Sequence, residues 1–157
     1  EELGRVGLML GEDALFPEAA GVMAVNRADL VVIPSAFREG TACERILYPG
    51  QAAELAGMIP WDTIARDIQS PVVVANFVGT PRRLQGRSSV YTLRPGGEST
   101  CVRAASGDRE EVLVARFSTL RKRGWFNQDK LNATRRTEFY KPLVFPAGFD
   151  PAAVDSR

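Results

Sequence analysis

The two cysteines, Cys43 and Cys101, are the residues best suited to nucleophilic chemistry in a chain with no histidine. Without an imidazole, a His general base, a His zinc ligand and a His pH switch are all excluded within this sequence. Cys43 lies among Arg38, Glu39, Glu44 and Arg45, where neighbouring guanidinium groups favour the thiolate; the plainer alternative is an incidental loop thiol. Cys101 falls in a β-branched run and is expected to be a small buried residue. The pair has no C-x-x-C partner, so neither a zinc site nor a disulfide framework follows, and no metal or cofactor is implied. Ser88 follows Gly86 and Arg87, but Val90 breaks a G-x-S-x-G elbow and no His is present to activate it. Asp13 and Glu18 have the spacing of a turn and a helix N-terminus, where carboxylates interact favourably with backbone N–H groups and the helix dipole.

The elements that must position these residues read as α/β. Residues 5–10 (RVGLML) predict a strand, 17–27 (PEAAGVMAVNR) a helix with Pro17 in its first turn and Met23 in the core, and 30–33 (LVVI) a buried strand closed by Pro34. A strand, helix, strand unit of this length calls for a parallel crossover. Helical periodicity returns over 52–58 and, after Pro60, over 61–68; Val72 to Asn76 then predicts the centre of a sheet. Residues 88–93, 101–104 and 111–117 (EVLVARF) read as antiparallel strands, with a turn at 94–97, so the sheet is mixed. Residues 119–140 connect, and 147–157 form a loosely held tail.

Composition sets the outer bounds. A chain of 157 residues, 45% hydrophobic and 25% charged, suits one globular domain, and no apolar run approaches the ~20 residues of a membrane helix. Its net charge of +1 provides no general attraction to nucleic acid or anionic lipid. Residues 1–79 carry a balance of −6 and residues 80–157 one of +7, an asymmetry consistent with a solvated surface or with docking to an opposite charge. The basic residues Arg82, Arg83, Arg87, Arg121, Lys122 and Arg123 near Trp125 and Phe126 match no nucleic-acid motif and read as solvated surface. Asn132, Ala133 and Thr134 form an N-x-T triplet with no sign of secretion beside it. A reducing cytoplasm is the simplest expected setting. The chain opens on Glu1 rather than Met, and further sequence upstream is expected.

Five ordered segments carry a family pattern: GLMLGEDALFPE (7–18), ADLVVIPSAF (28–37), VVVANFVG (72–79), GRSSVYTLRPGGE (86–98) and RRTEFY (135–140). Together they resemble the carbon-nitrogen hydrolase, or nitrilase, superfamily over residues 5–143. The resemblance implies a four-layered αββα sandwich and cleavage of nitriles, amides or carbamoyl groups by a Cys, a Glu and a Lys. It enters at the strand that carries the nucleophile, and the family's Glu and Lys lie upstream, so no residue here takes either role. Residues 1–146 correspond to the C-terminal portion of such a domain.

At the nucleophile turn this chain departs from the pattern. Gly11 stands at the Cys position, and Leu15 replaces the Arg often found before Phe-Pro-Glu. A hydrogen side chain cannot attack a carbonyl or nitrile carbon. The expectation is therefore a half sandwich, a mixed sheet with helices on one face, catalytically silent at this position. Gly11, Glu12, Ser35 and Asn76 are the candidate residues for holding a small amide or carboxylate. Partnership is expected with a second copy or an N-terminal half domain, because one sheet face lacks helices. The alternative is an active amide or nitrile hydrolase using Cys43 or groups from a partner chain.

Overall fold

The computed structural model describes residues 4–38, 61–79, 84–93, 99–118 and 128–140. Strand β1 (Val6–Leu8) leads through a 3-10 turn (Gly11–Leu15) into helix α1 (Pro17–Val25) and strand β2 (Leu30–Ser35). Helix α2 (Trp61–Ile68) precedes β3 (Val72–Asn76), and two short strands, β4 (Val78–Gly79) and β5 (Leu84–Gln85), form a ribbon of their own. Strands β6 (Ser89–Leu93) and β7 (Ser99–Ala104) complete a five-stranded sheet in the order β1-β2-β3-β6-β7. The first three strands are parallel and the last two antiparallel. This is the mixed sheet the apolar runs predict, with Val72 to Asn76 at its centre.

Side-chain alternation divides the sheet into two unlike faces. On one, Met9, Val31, Ile33, Val72 and Val74 form a single core with Ala20 and Ala24 of α1 and Trp61, Ile64, Ala65 and Ile68 of α2. The α2 residues recur at i, i+3, i+4 and i+7, which explains the helix and its orientation at once. On the other face, Val6 and Leu8, with Leu10 just beyond the strand, are 47%, 62% and 63% exposed. Helices thus cover one side, as expected of half a sandwich. Both helices stop on a non-glycine residue in the left-handed region, Arg27 (φ 58°) and Gln69 (φ 57°).

Pro34 does not close β2; it lies inside the strand, in register with Ala75 of β3. The reason is local: Met9 N–H donates to Val32 O while Val31 N–H donates to Pro71 O, so even-numbered positions of β2 face β1. At Pro34, β1 has already ended, and its missing N–H forfeits no ladder bond. Two other expectations fail at the far edge. Residues 111–117 form no strand; exposure alternates only from Val112 onward, and no described strand pairs with them. Cys101 is exposed rather than buried, because β7 is the edge strand and a register shift opposite Val90 and Tyr91 disturbs its packing.

The connection before residue 140 contains helix α3 (Gln128–Ala133). It is tied to the helical layer by polar side chains: Gln128 Nε2 donates to Ala28 O at 3.0 Å and Ile68 O at 2.9 Å, and Asn132 Nδ2 donates to Ala24 O at 3.1 Å. Arg27 and Asp129 form an ion pair at the surface. Asn132 therefore spends its amide on the fold, which disfavours the N-x-T triplet as a glycan acceptor. Among the described residues no helix is long and apolar enough to cross a membrane.

Candidate functional site

In open sheets with parallel strands, ligands bind beyond the carboxyl ends of those strands. Here that edge gathers the turn after β1, the end of β2 at Ser35 and the end of β3 at Asn76. Ser35 and Asn76 are register partners across the parallel pair. The 3-10 turn is held by its own residues: Asp13 N–H donates to Leu10 O at 2.8 Å, and Leu10 N–H donates to an Asp13 carboxylate oxygen at 3.0 Å. Asp13 is therefore a structural carboxylate, as its spacing implies, and Glu18 lies in the first turn of α1.

Gly11 sits at the start of that turn, against β2. A Cβ added there would lie 3.1 Å from Ser35 Cβ, 3.3 Å from Ser35 Cα and 3.5 Å from Phe37 Cε2. Its φ is not in the left-handed region, so the turn does not require glycine for its backbone. What favours glycine is the close approach of Ser35, a tertiary contact that the sequence pattern does not contain. Gly11→Val is expected to lower stability by about 1–3 kcal/mol through overpacking, measured by urea unfolding. No loss in that variant would mean that Ser35 yields freely. Glu12, the next residue, is exposed.

Asn76 binds three parts of the site together. Its Oδ1 accepts from Ser35 Oγ at 3.1 Å and from Phe37 N–H at 3.0 Å, while Nδ2 donates to Gly86 O at 2.8 Å. Its main chain is held as well, with Asn76 N–H donating to Ser88 Oγ at 2.9 Å and Ser88 Oγ donating back to Asn76 O at 3.1 Å. Ser88 thus has a scaffolding part that sequence reasoning missed when it weighed the hydroxyl only as a nucleophile. Gly86 makes the loop geometry feasible, with φ 61° and a virtual Cβ 3.0 Å from Ser106 O. Phe37, packed on Trp61 with ring centroids 5.9 Å apart, closes the core side.

Beside Asn76 opens a cleft of about 240 Å³ whose lining includes Phe77, Arg87, Ser88, Ser106 and Arg109. At its rim Ser106 N–H donates to the Glu111 carboxylate. Of the candidate ligand residues only Asn76 lines this cleft; Gly11 and Ser35 are contiguous with Asn76 through the Ser35 side chain, and Glu12 adjoins Gly11 in the chain. Cys43, Arg82, Arg83 and residues 121–126 lie outside the described residues, as do the helix expected over 52–58, the turn at 94–97 and the tail at 147–157.

No protein-family profile and no curated protein matches the chain. Solved structures do. A carbon-nitrogen hydrolase from Helicobacter pylori G27 is 26% identical, with a TM-score of 0.62 over 91% of this chain and 50% of that one. A double mutant of the amidase from Nesterenkonia sp. AN1 in complex with acrylamide is 24% identical, with a TM-score of 0.60 over 89% of this chain and 45% of that one; at this identity the likeness concerns the fold alone. The chain spans about half the length of these structures. Its one-sided mixed sheet is thus the fold of the carbon-nitrogen hydrolase, or nitrilase, superfamily, present over about half the length of the members it matches.

Proposed function

We propose that this chain is a non-catalytic part of a carbon-nitrogen hydrolase-like protein, one that binds or supports rather than cleaves. The observation that carries the reading is Gly11. Attack on an amide or nitrile carbon needs a polarizable nucleophile activated by a base, and at the turn where the family pattern has Cys this chain has a residue with no side chain, its Cβ direction approached by Ser35 Cβ at 3.1 Å. In this reading the edge formed by Gly11, Glu12, Ser35 and Asn76 receives a small amide or carboxylate, and Asn76 holds the edge in shape. The apolar face bearing Val6, Leu8 and Leu10 is covered by a complementary half domain or by a second copy.

The test is ammonia release from simple aliphatic amides, run beside thermal shifts with acetamide and acetate. The expected result is no ammonia above the buffer rate from the chain or from Gly11→Cys, because a thiol alone lacks the Glu and Lys of the family mechanism. A ligand-dependent rise in melting temperature supports the binding reading. Turnover by the unmodified chain overturns the non-catalytic one, and its loss in Cys43→Ala would then transfer the reaction to Cys43.

A further inference from the structure

The cleft beside Asn76 is lined by charged residues of both signs together with an apolar part. Arg87 and Arg109 supply the cations, Glu110 and Glu111 the carboxylates, and Phe77 and Val78 the apolar surface. The neutral polar groups around it are engaged in the fold. Ser88 Oγ both accepts from and donates to the Asn76 main chain, the Asn76 side chain holds Ser35, Phe37 and Gly86, and Ser106 O accepts from Arg87 N–H at 3.0 Å. A neutral amide therefore finds few open partners here. The charged groups are differently placed: none of the ion pairs among the described residues includes Arg87, Arg109, Glu110 or Glu111. Arg87 is also directed by its surroundings. Its φ is 56°, an uncommon conformation for a residue with a side chain, and an added Cβ at Gly107 would lie 3.4 Å from Arg87 Nε and 3.5 Å from its Cγ. Gly107 is not in the left-handed region, so what favours glycine there is the close approach of Gln85 O, at 3.0 Å, and of the Arg87 side chain. An unusual backbone and a bare neighbour thus set the course of this guanidinium toward the cleft.

We propose that this cleft binds a free α-amino acid with an apolar side chain, in its zwitterionic form. The ligand carboxylate matches the forked N–H donors of Arg87, with Arg109 beside it. Its ammonium group matches Glu110, and its side chain covers Phe77, which is 67% exposed. Either charge alone fits less well. A simple anion also meets the carboxylates of Glu110 and Glu111, and a simple cation meets two guanidinium groups. A carboxylate and an ammonium on one carbon answer both signs at once, within a cleft of about 240 Å³. The inference goes beyond the functional reading: the cleft shares only Asn76 with the edge at Gly11 and Ser35, and it does not depend on Gly11.

The experiment titrates L-leucine into the full chain and follows the backbone amide signals by two-dimensional NMR. Saturable shifts are expected at Phe77, Arg87 and Arg109, with a dissociation constant on the order of 1 mM, the strength of a few exposed charge contacts. N-acetyl-L-leucine lacks the ammonium group and L-leucinamide the carboxylate, and each is expected to bind about tenfold more weakly. Arg87→Gln should weaken leucine about tenfold and leave leucinamide unchanged, whereas Glu110→Gln should weaken leucine and leave N-acetyl-leucine no weaker. Both side chains are exposed, and the amide spectrum of each variant checks that the fold persists. The absence of any saturable shift with leucine overturns the proposal. So does equal binding of the three compounds, which leaves only contact with Phe77, or tighter binding of N-acetyl-leucine, which makes the cleft a site for anions. Shifts confined to Gly11, Glu12 and Ser35 also overturn it, and they support the functional reading; ammonia release by the unmodified chain overturns that reading and leaves this one standing.

Discussion

Asn76→Ala is expected to cost about 2–4 kcal/mol of folding stability, a large loss for a substitution at the end of a strand. The side chain accepts from Ser35 Oγ and Phe37 N–H and donates to Gly86 O, all within 3.1 Å. A typical protein hydrogen bond contributes a net ~0.5–1.5 kcal/mol, and a buried group left without its partner costs ~1–3 kcal/mol. Ser35, Phe37 and Gly86 are all buried, so truncation leaves a donor and an acceptor on the main chain, together with the Ser35 hydroxyl, without this partner. Urea unfolding measures the loss through the shift in midpoint. A cost below about 0.5 kcal/mol would mean that water replaces the amide without penalty, and Asn76 would no longer count as the clasp of this edge. If the ligand reading holds, any thermal shift with acetamide or acetate also disappears in this variant.

Substitutions on opposite faces of the sheet should differ several-fold. Ile33 is fully buried between β2 and the helical layer, and Ile33→Ala is expected to cost about 2–5 kcal/mol, the lost transfer energy plus a cavity that close-packed neighbours fill only in part. Leu8 belongs to the adjacent strand, but its side chain points to the uncovered face and is mostly exposed. Leu8→Ala should stay within about 0.5 kcal/mol in the isolated chain. Comparison of the two urea midpoints checks the one-sided core. A cost at Leu8 close to that at Ile33 would show that the face is covered, and its dependence on protein concentration would then identify the cover as another copy.

The same two faces show what could be read in advance. Trp61, Ile64, Ala65 and Ile68 announce α2 and its buried stripe through spacing alone, and Val72 to Asn76 announces a central strand because so apolar and β-branched a run does not suit an exposed edge. Pro17, by contrast, marks the start of α1 because a first-turn proline loses no helical hydrogen bond. The one-sided layer is what the resemblance to half of a sandwich implies, and the sheet bears it out. Gly11 is visible as a departure from a pattern, without its cause. Pro34 was misread because a proline is a strand breaker only where its N–H has a partner to lose, and that depends on where β1 ends.

Residue types and their spacing are enough for the order and type of most main elements and for the nitrilase-like pattern, in which Gly11 is read at the place of the nucleophile. These are properties of spacing and residue type, which a linear string carries in full. Only the packed chain shows that Ser35 approaches Gly11 closely, that Asn76 and Ser88 lock the carboxyl edge of the strands, that Cys101 faces solvent, and that residues 111–117 have no ladder among the described residues. Each depends on which atoms from distant positions meet, and a hydrogen-bond partner or a missing neighbour leaves no periodicity in the chain to announce it.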